Sequence, residues 1–178
     1  SRIRPGADTI NMVRELLKLV GLDPRFLNRY RVGATSGSSG HPGFFLYDEA
    51  EWVQVVASFA RGQEWSGNQI SLLQRQRMAT VASTSAWHVS SQVASTEKSW
   101  WRPSIRIAAS DPLPDIVSRL NEWQPHVLIS YASMARILAD EQLAGRLDIH
   151  PQVIFTSSEV LTDETRRRVE AAWGHGPF

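Results

Sequence analysis

The chain has 178 residues, 19 lysines and arginines against 18 aspartates and glutamates, a net charge of +1 and no cysteine. One domain of roughly 150 residues fits that length, and 42% hydrophobic with 21% charged residues excludes wholesale disorder. Near-neutrality argues against a dedicated nucleic-acid or polybasic membrane binder, and the absence of cysteine excludes a disulfide framework and a thiolate zinc site. In chain order, Asp8 can cap a first helix in which Ile10, Val13, Leu16, Leu17 and Val20 recur at three- and four-residue steps. Gly21 and Asp23-Pro24 end it. Residues 30–34 read as a short strand entering a Gly/Ser-rich loop at 35–43, and 44–47 as a second strand forming a hairpin with the first. Asp48 with Glu51 makes a capping box for a helix carrying Trp52, Val55, Val56 and Phe59 on one face. From 62 to 76 the chain turns polar and irregular, the best loop or linker candidate.

Beyond residue 77 an alternation sets in. Short apolar runs at 78–82, 105–109, 127–129 and 153–155 read as strands. Helix-like stretches separate them: a weak one after Val89, then 113–123 and 132–143, with a last helix at about 162–173. Strand, helix, strand at this spacing predicts an α/β fold, a mostly parallel sheet with right-handed helical crossovers. No apolar run reaches the roughly 18 residues of a membrane-spanning helix, and the opening Ser1-Arg2-Ile3-Arg4-Pro5-Gly6 lacks the apolar core of a signal peptide. A cytoplasmic location is the resulting expectation.

Of the basic residues only Lys18 and Lys98 are lysines, and neither follows a glycine, which excludes a Walker-type phosphate loop. The histidines His41, His88, His126, His150 and His175 are scattered without a His-Glu-x-x-His pair, so no metal ligand is assigned. Trp100-Trp101-Arg102 reads as packing, and Arg166-Arg167-Arg168 as a solvated helix face, since consecutive helical residues splay apart.

The most informative stretch is Thr35-Ser36-Gly37-Ser38-Ser39-Gly40-His41-Pro42-Gly43. By composition it is either a flexible hairpin tip or a loop whose successive amides and hydroxyls wrap an anion. The order of its residues resembles the phosphate-gripping loop T-S-G-[S/T]-[S/T]-G-x-P of the adenylate-forming superfamily. Those enzymes activate carboxylic acids with ATP as acyl-adenylates and usually pass the acyl group to coenzyme A. Thr35, Ser36, Gly37, Ser38, Ser39, Gly40 and Pro42 match. Gly43 stands where many members carry lysine, which points toward the phenylacetate–CoA ligase-like branch.

Downstream, Gln124-Pro125-His126-Val127-Leu128-Ile129-Ser130-Tyr131 resembles the branch's strand leading into a Ser/Tyr turn. The run from Val153 through Thr156-Ser157-Ser158-Glu159-Val160-Leu161-Thr162 is similar to its V-x-x-[S/G]-G-E-x-L-T segment, with Ser158 replacing the usual glycine. The resemblance implies that Thr35 to Gly40 hold the triphosphate of ATP, and that Ser157, Ser158, Glu159 and Val160 pack on adenine. It places Trp87 and His88 where the family lines its acyl pocket, the alternative being a core tryptophan beside a solvated histidine. ATP, Mg2+ and coenzyme A are implied as cofactors, and a carboxylic acid, aryl by likeness, as substrate; nucleic acid and membrane are not expected partners.

The family's aromatic-x-x-Thr-Glu turn, its ribose-binding aspartate and the small C-terminal domain with its catalytic lysine have no counterpart in the sequence. Residues 1–178 are therefore expected to be an internal part of the large N-terminal domain, inactive alone, with no assignable catalytic residue. Apolar surface exposed by truncation would favour association. The competing readings are a non-catalytic α/β module that uses the Ser/Gly loop and aromatics to bind a partner, and an α/β domain with no nucleotide role.

Overall fold

The computed structural model describes residues 25–26, 30–34, 44–66, 76–84, 89, 92–93 and 102–178. The chain divides into two compact units, residues 1–57 with 85–93 and residues 58–84 with 94–178. The helix expected around residues 8–20, the weak helix after Val89 for the most part, and the Trp100-Trp101 pair lie outside the described residues.

In the first unit, β1 (Arg25–Phe26), β2 (Tyr30–Ala34) and β3 (Phe44–Tyr47) form an antiparallel sheet in that order. Ala34 pairs with Phe44, so the expected hairpin is present and brackets residues 35–43. Helix α1 (Glu49–Trp65) opens on the anticipated capping box. Glu51 N–H donates to Asp48 Oδ1 at 2.8 Å, and Asp48 N–H donates to Glu51 Oε2 at 2.9 Å. Trp52 is buried, with the Tyr47 ring edge-on at 5.9 Å and the Arg31 guanidinium 4.8 Å from its ring centre. Gly33 answers a packing need: a Cβ there would stand 2.7 Å from Val89 Cγ2. Gln92 Nε2 beside it donates to Val32 O at 2.6 Å. The helix departs from expectation at its end. It continues through Trp65 past the expected break at residue 62, because Gly62 is a weak breaker and the next three residues are helix-compatible.

In the second unit β4 (Met78–Ala82), β5 (Ser104–Ala108), β6 (Val127–Tyr131) and β7 (Val153–Ser157) form a wholly parallel sheet in the order β5-β4-β6-β7. Helices α2 (Leu113–Trp123), α3 (Ala132–Leu143) and α4 (Asp163–Trp173) alternate with the strands, so the α/β expectation holds. The β5-to-β6 and β6-to-β7 crossovers run the same way across the sheet, and a fixed hand then sets α2 and α3 on one face. Register agrees: Ala79, Val81, Ile107, Leu128 and Ile154 share a face and a core with Ile116 and Leu120 of α2, Leu138 of α3 and Val169 of α4.

The helix ends follow simple rules. Thr162 caps α4 by accepting from Thr165 N–H, and Gly174 closes it at φ 79°. Gln124 takes the left-handed position after α2 at φ 51°, and its side-chain amide donates to Asn121 O and Asp148 O, both at 2.8 Å. The indoles of Trp123 and Trp173 donate to Met78 O and Ile149 O at 3.0 and 3.1 Å, tying the helix ends to the amino side of the sheet. Arg168 pairs with Asp140, Arg136 meets Glu164 at 2.9 Å, and Arg166 donates to Pro177 O at 3.0 Å. Two of the three consecutive arginines therefore serve local structure rather than a ligand.

His126 joins the amino ends of three strands. Arg77 N–H donates to its Nδ1 at 3.0 Å, its own N–H donates to Arg77 O at 2.8 Å, and its carbonyl accepts from Gln152 N–H at 2.8 Å. Accepting at Nδ1 requires an unprotonated nitrogen there, and burial, then the charge of Arg77, lowers the imidazole pKa from its ordinary 6.5. Below that pH the unfolded chain takes up a proton that the folded chain resists, so this contribution is full above 6.5 and declines as pH falls through the folded value. Urea unfolding across this range is expected to show wild type losing stability toward acid, and His126→Asn, which keeps an acceptor without titrating, losing less. Equal acid sensitivity in the two proteins would contradict it.

Candidate functional site

In an open parallel sheet the loops after two neighbouring strands that leave in opposite directions open a crevice at the carboxyl ends, the usual ligand position. Here β4 connects outward to β5 and β6 outward to β7, so the switch lies between β4 and β6. Ser83 follows β4, and its N–H donates to Tyr131 Oη at the end of β6 at 2.9 Å. Arg106 on β5 reaches the same point, donating from Nη2 to Ser83 O at 3.4 Å, and partial burial lowers its pKa. The aromatic hydroxyl and the guanidinium thus converge on one main-chain residue at the switch.

The turn after β7 carries four of the residues singled out from the sequence. Ser157 ends the strand, Ser158 lies at φ 67°, and Val160 is 85% exposed. A left-handed conformation costs a non-glycine residue about 1 kcal/mol, which explains why glycine suits this position and shows that serine tolerates it. Glu159 turns back onto α3. Its Oε2 accepts Ser133 N–H at 2.7 Å and its Oε1 accepts Ser133 Oγ–H at 3.0 Å. This carboxylate is thus occupied by protein donors. On the outer edge of β7, Phe178 N–H donates to Ile154 O at 3.0 Å and Thr156 N–H donates to Phe178 O at 2.9 Å, the pattern of one parallel bridge. The Phe155 and Phe178 rings lie 6.3 Å apart.

The other candidates, Thr35, Ser36, Gly37, Ser38, Ser39, Gly40, Trp87 and His88, lie outside the described residues. Tyr131 at the end of β6, Ser133 in the first turn of α3 and Arg106 in β5 were not among the site residues expected from the sequence. The legible signal for the first two was the Ser-Tyr-Ala-Ser run at the strand-to-helix junction. An open groove of about 520 Å³ lined by Leu113, Pro114, Val117, Ser118, Asn121, Glu141 and Arg146 shares no residue with the turn. It is edged by an ion pair, Arg146 donating to both Glu141 oxygens at 2.6 and 2.7 Å, and these bonds hold the Glu141 carboxyl below its usual range.

Among the described residues no group of three His, Asp or Glu side chains gathers to hold a metal ion, and no helix is long and apolar enough to cross a membrane. Magnesium therefore finds no cage in the described residues.

No protein-family model matches the chain, nor does any curated protein by sequence. Solved structures do match. An open conformation of 2-hydroxyisobutyryl-CoA ligase, in complex with 2-HIB-AMP and CoA, superposes with a TM-score of 0.62 at 19% identity, covering 84% of this chain and 32% of that one. The fold is shared with acyl-CoA ligases. Malonyl-CoA ligase with methylmalonyl-CoA and AMP bound gives 0.56 at 18% identity, covering 83% and 31% of the two chains. ATP-bound MatB from Rhodopseudomonas palustris gives 0.52 at 16%, covering 83% and 27%. The chain thus spans about a third of the first two ligases' length. At this identity the likeness is one of fold, and the parallel sheet with helical crossovers is the ligase architecture in part.

Proposed function

We propose that the chain is a nucleotide-binding part of the large N-terminal domain of an ATP-dependent acid–CoA ligase in the adenylate-forming superfamily, of the phenylacetate–CoA ligase-like branch. The observation that carries this reading is the turn after β7. It lies at the carboxyl end of a parallel sheet, left-handed at Ser158 where the resembled motif has glycine, in a fold shared with ligases solved with ATP or AMP. In this reading Thr35, Ser36, Gly37, Ser38, Ser39 and Gly40 receive the triphosphate, and the turn of Ser157, Ser158, Glu159 and Val160 receives adenine. Trp87 and His88 line the acyl side, an aryl acid is the substrate class, coenzyme A is the acceptor, and the cytoplasm is the location.

Bringing a carboxylate to the α-phosphorus sets two anions together, so donors around the phosphates carry the electrostatic work. Magnesium would supply Lewis-acid neutralisation when bound, and the chain's own contribution is to orient the nucleotide.

Titration calorimetry of the chain with ATP and with AMP tests the reading. Both are expected to bind. Failure to bind either nucleotide, with a stable stoichiometric complex with another protein, would replace this reading by that of a partner-binding module.

A further inference from the structure

Helix α3 begins without the side-chain cap that helices ordinarily carry. Its N-cap residue is Tyr131, whose side chain makes no cap hydrogen bond. The orphan N–H of Ser133 is instead met by Glu159, from 26 residues away in the chain. Both carboxylate oxygens are spent on this one residue, Oε2 on its amide at 2.7 Å and Oε1 on its hydroxyl at 3.0 Å. Such bonds to an ionised acceptor are the strong kind, and a negative charge is favoured at a helix amino end. Glu159 lies between Ser158, held at φ 67°, and Val160, whose side chain is 85% exposed. Clamping the glutamate therefore fixes the direction of both neighbours.

We propose that Glu159 is a positioning residue: by clamping the turn after β7 onto the amino end of α3 it presents Ser158 and Val160 to the adenine without touching the nucleotide itself. The proposal rests on the nucleotide reading above and corrects one part of it, since a carboxylate engaged by Ser133 through both oxygens is not a ligand for ATP. It also leaves the amino end of α3 closed to phosphate, so the triphosphate is held elsewhere. A turn prearranged in this way spends less of its contact energy on ordering when the base arrives.

The test uses the full chain with ATP, AMP and inorganic triphosphate as separate probes. Glu159→Ala is expected to weaken ATP and AMP by about tenfold while leaving triphosphate within about twofold, because the clamp acts only on the base-binding turn. Exchange of the Ser133 amide hydrogen should quicken in the same variant. Ser133→Ala keeps the amide donor and loses only the hydroxyl bond. It should show a smaller loss in the same direction, and it serves if Glu159→Ala does not fold. Unchanged nucleotide affinity with a faster Ser133 amide would reduce Glu159 to a helix cap and overturn the proposal. So would an equal loss of triphosphate, which signals general damage. If wild type binds neither ATP nor AMP, the nucleotide reading has failed first and takes the proposal with it, an outcome read from wild type alone.

Discussion

Leu128→Ala is expected to remove about 3–4 kcal/mol of folding stability, a large part of the roughly 5–15 kcal/mol that holds a domain together. Leu128 sits on β6, fully buried, with Ala79 and Ile154 as its register partners on either side. Its side chain belongs to the one cluster that joins the sheet to α2, α3 and α4. Truncation removes apolar surface from that core and leaves a cavity between the packed side chains of neighbouring strands and helices, which relaxes little. Ile137 on α3 gives the contrast. It lies two residues after the buried Ala135 and directly before the buried Leu138, yet is 39% exposed. Ile137→Ala should cost less, about 1–2 kcal/mol, because 39% of its surface already meets water and its truncation opens no enclosed cavity. Urea unfolding followed by tryptophan fluorescence separates the two; equal costs would mean that the sheet and helices do not share the core described.

The same burial pattern explains what could be read from the residues beforehand. The bounds of α2 and α3 match the expected 113–123 and 132–143, because each helix repeats buried positions at three- and four-residue steps between clear stops. Strands β6 and β7 run two residues beyond their apolar runs. Ser130 is buried on the core face although it is polar, and Tyr131 and Ser157 extend the ladder through backbone pairing that hydropathy does not register. Two-residue β1 carries no period at all. Phe59 shares one expected face of α1 with the buried Trp52 yet is 43% exposed, because periodicity marks a face without saying what covers it.

In the turn after β7 the resemblance implied that Glu159 packs on adenine, and in the structure its carboxylate accepts from Ser133. The Ser133 bonds that redirect it join residues 26 apart, and neither neighbourhood carries a pattern pointing at the other. What the sequence did offer was a helix start lacking an ordinary cap at Tyr131, and a missing cap implies a donor satisfied from elsewhere. Ser158 behaves the opposite way. Its departure from the motif's glycine was legible as a departure, and the φ of 67° supplies the physical reason for the glycine preference.

Gly37→Val is expected to abolish the stabilisation that ATP gives the chain beyond that given by AMP, while leaving its melting temperature without nucleotide close to wild type. A ligand at about 100 times its Kd stabilises the folded state by about 2.7 kcal/mol. For a chain of this size that amounts to a rise of roughly 5–10 °C in Tm. Pairing of Ala34 with Phe44 fixes the two ends of the 35–43 segment independently of the residues between them, so the hairpin should survive the change. Anion binding by main-chain amides needs backbone freedom and close approach, and a β-branched side chain at position 37 removes both. AMP provides the internal control. It lacks the β- and γ-phosphates, so a shift that depends on the turn after β7 should persist in Gly37→Val when the ATP-specific increment has gone. Thermal melts of wild type and variant with each nucleotide distinguish the two contributions. An intact ATP increment in the variant would assign the triphosphate to groups other than the Ser/Gly loop, and loss of the AMP shift as well would mean that the loop and the turn do not act as separate subsites.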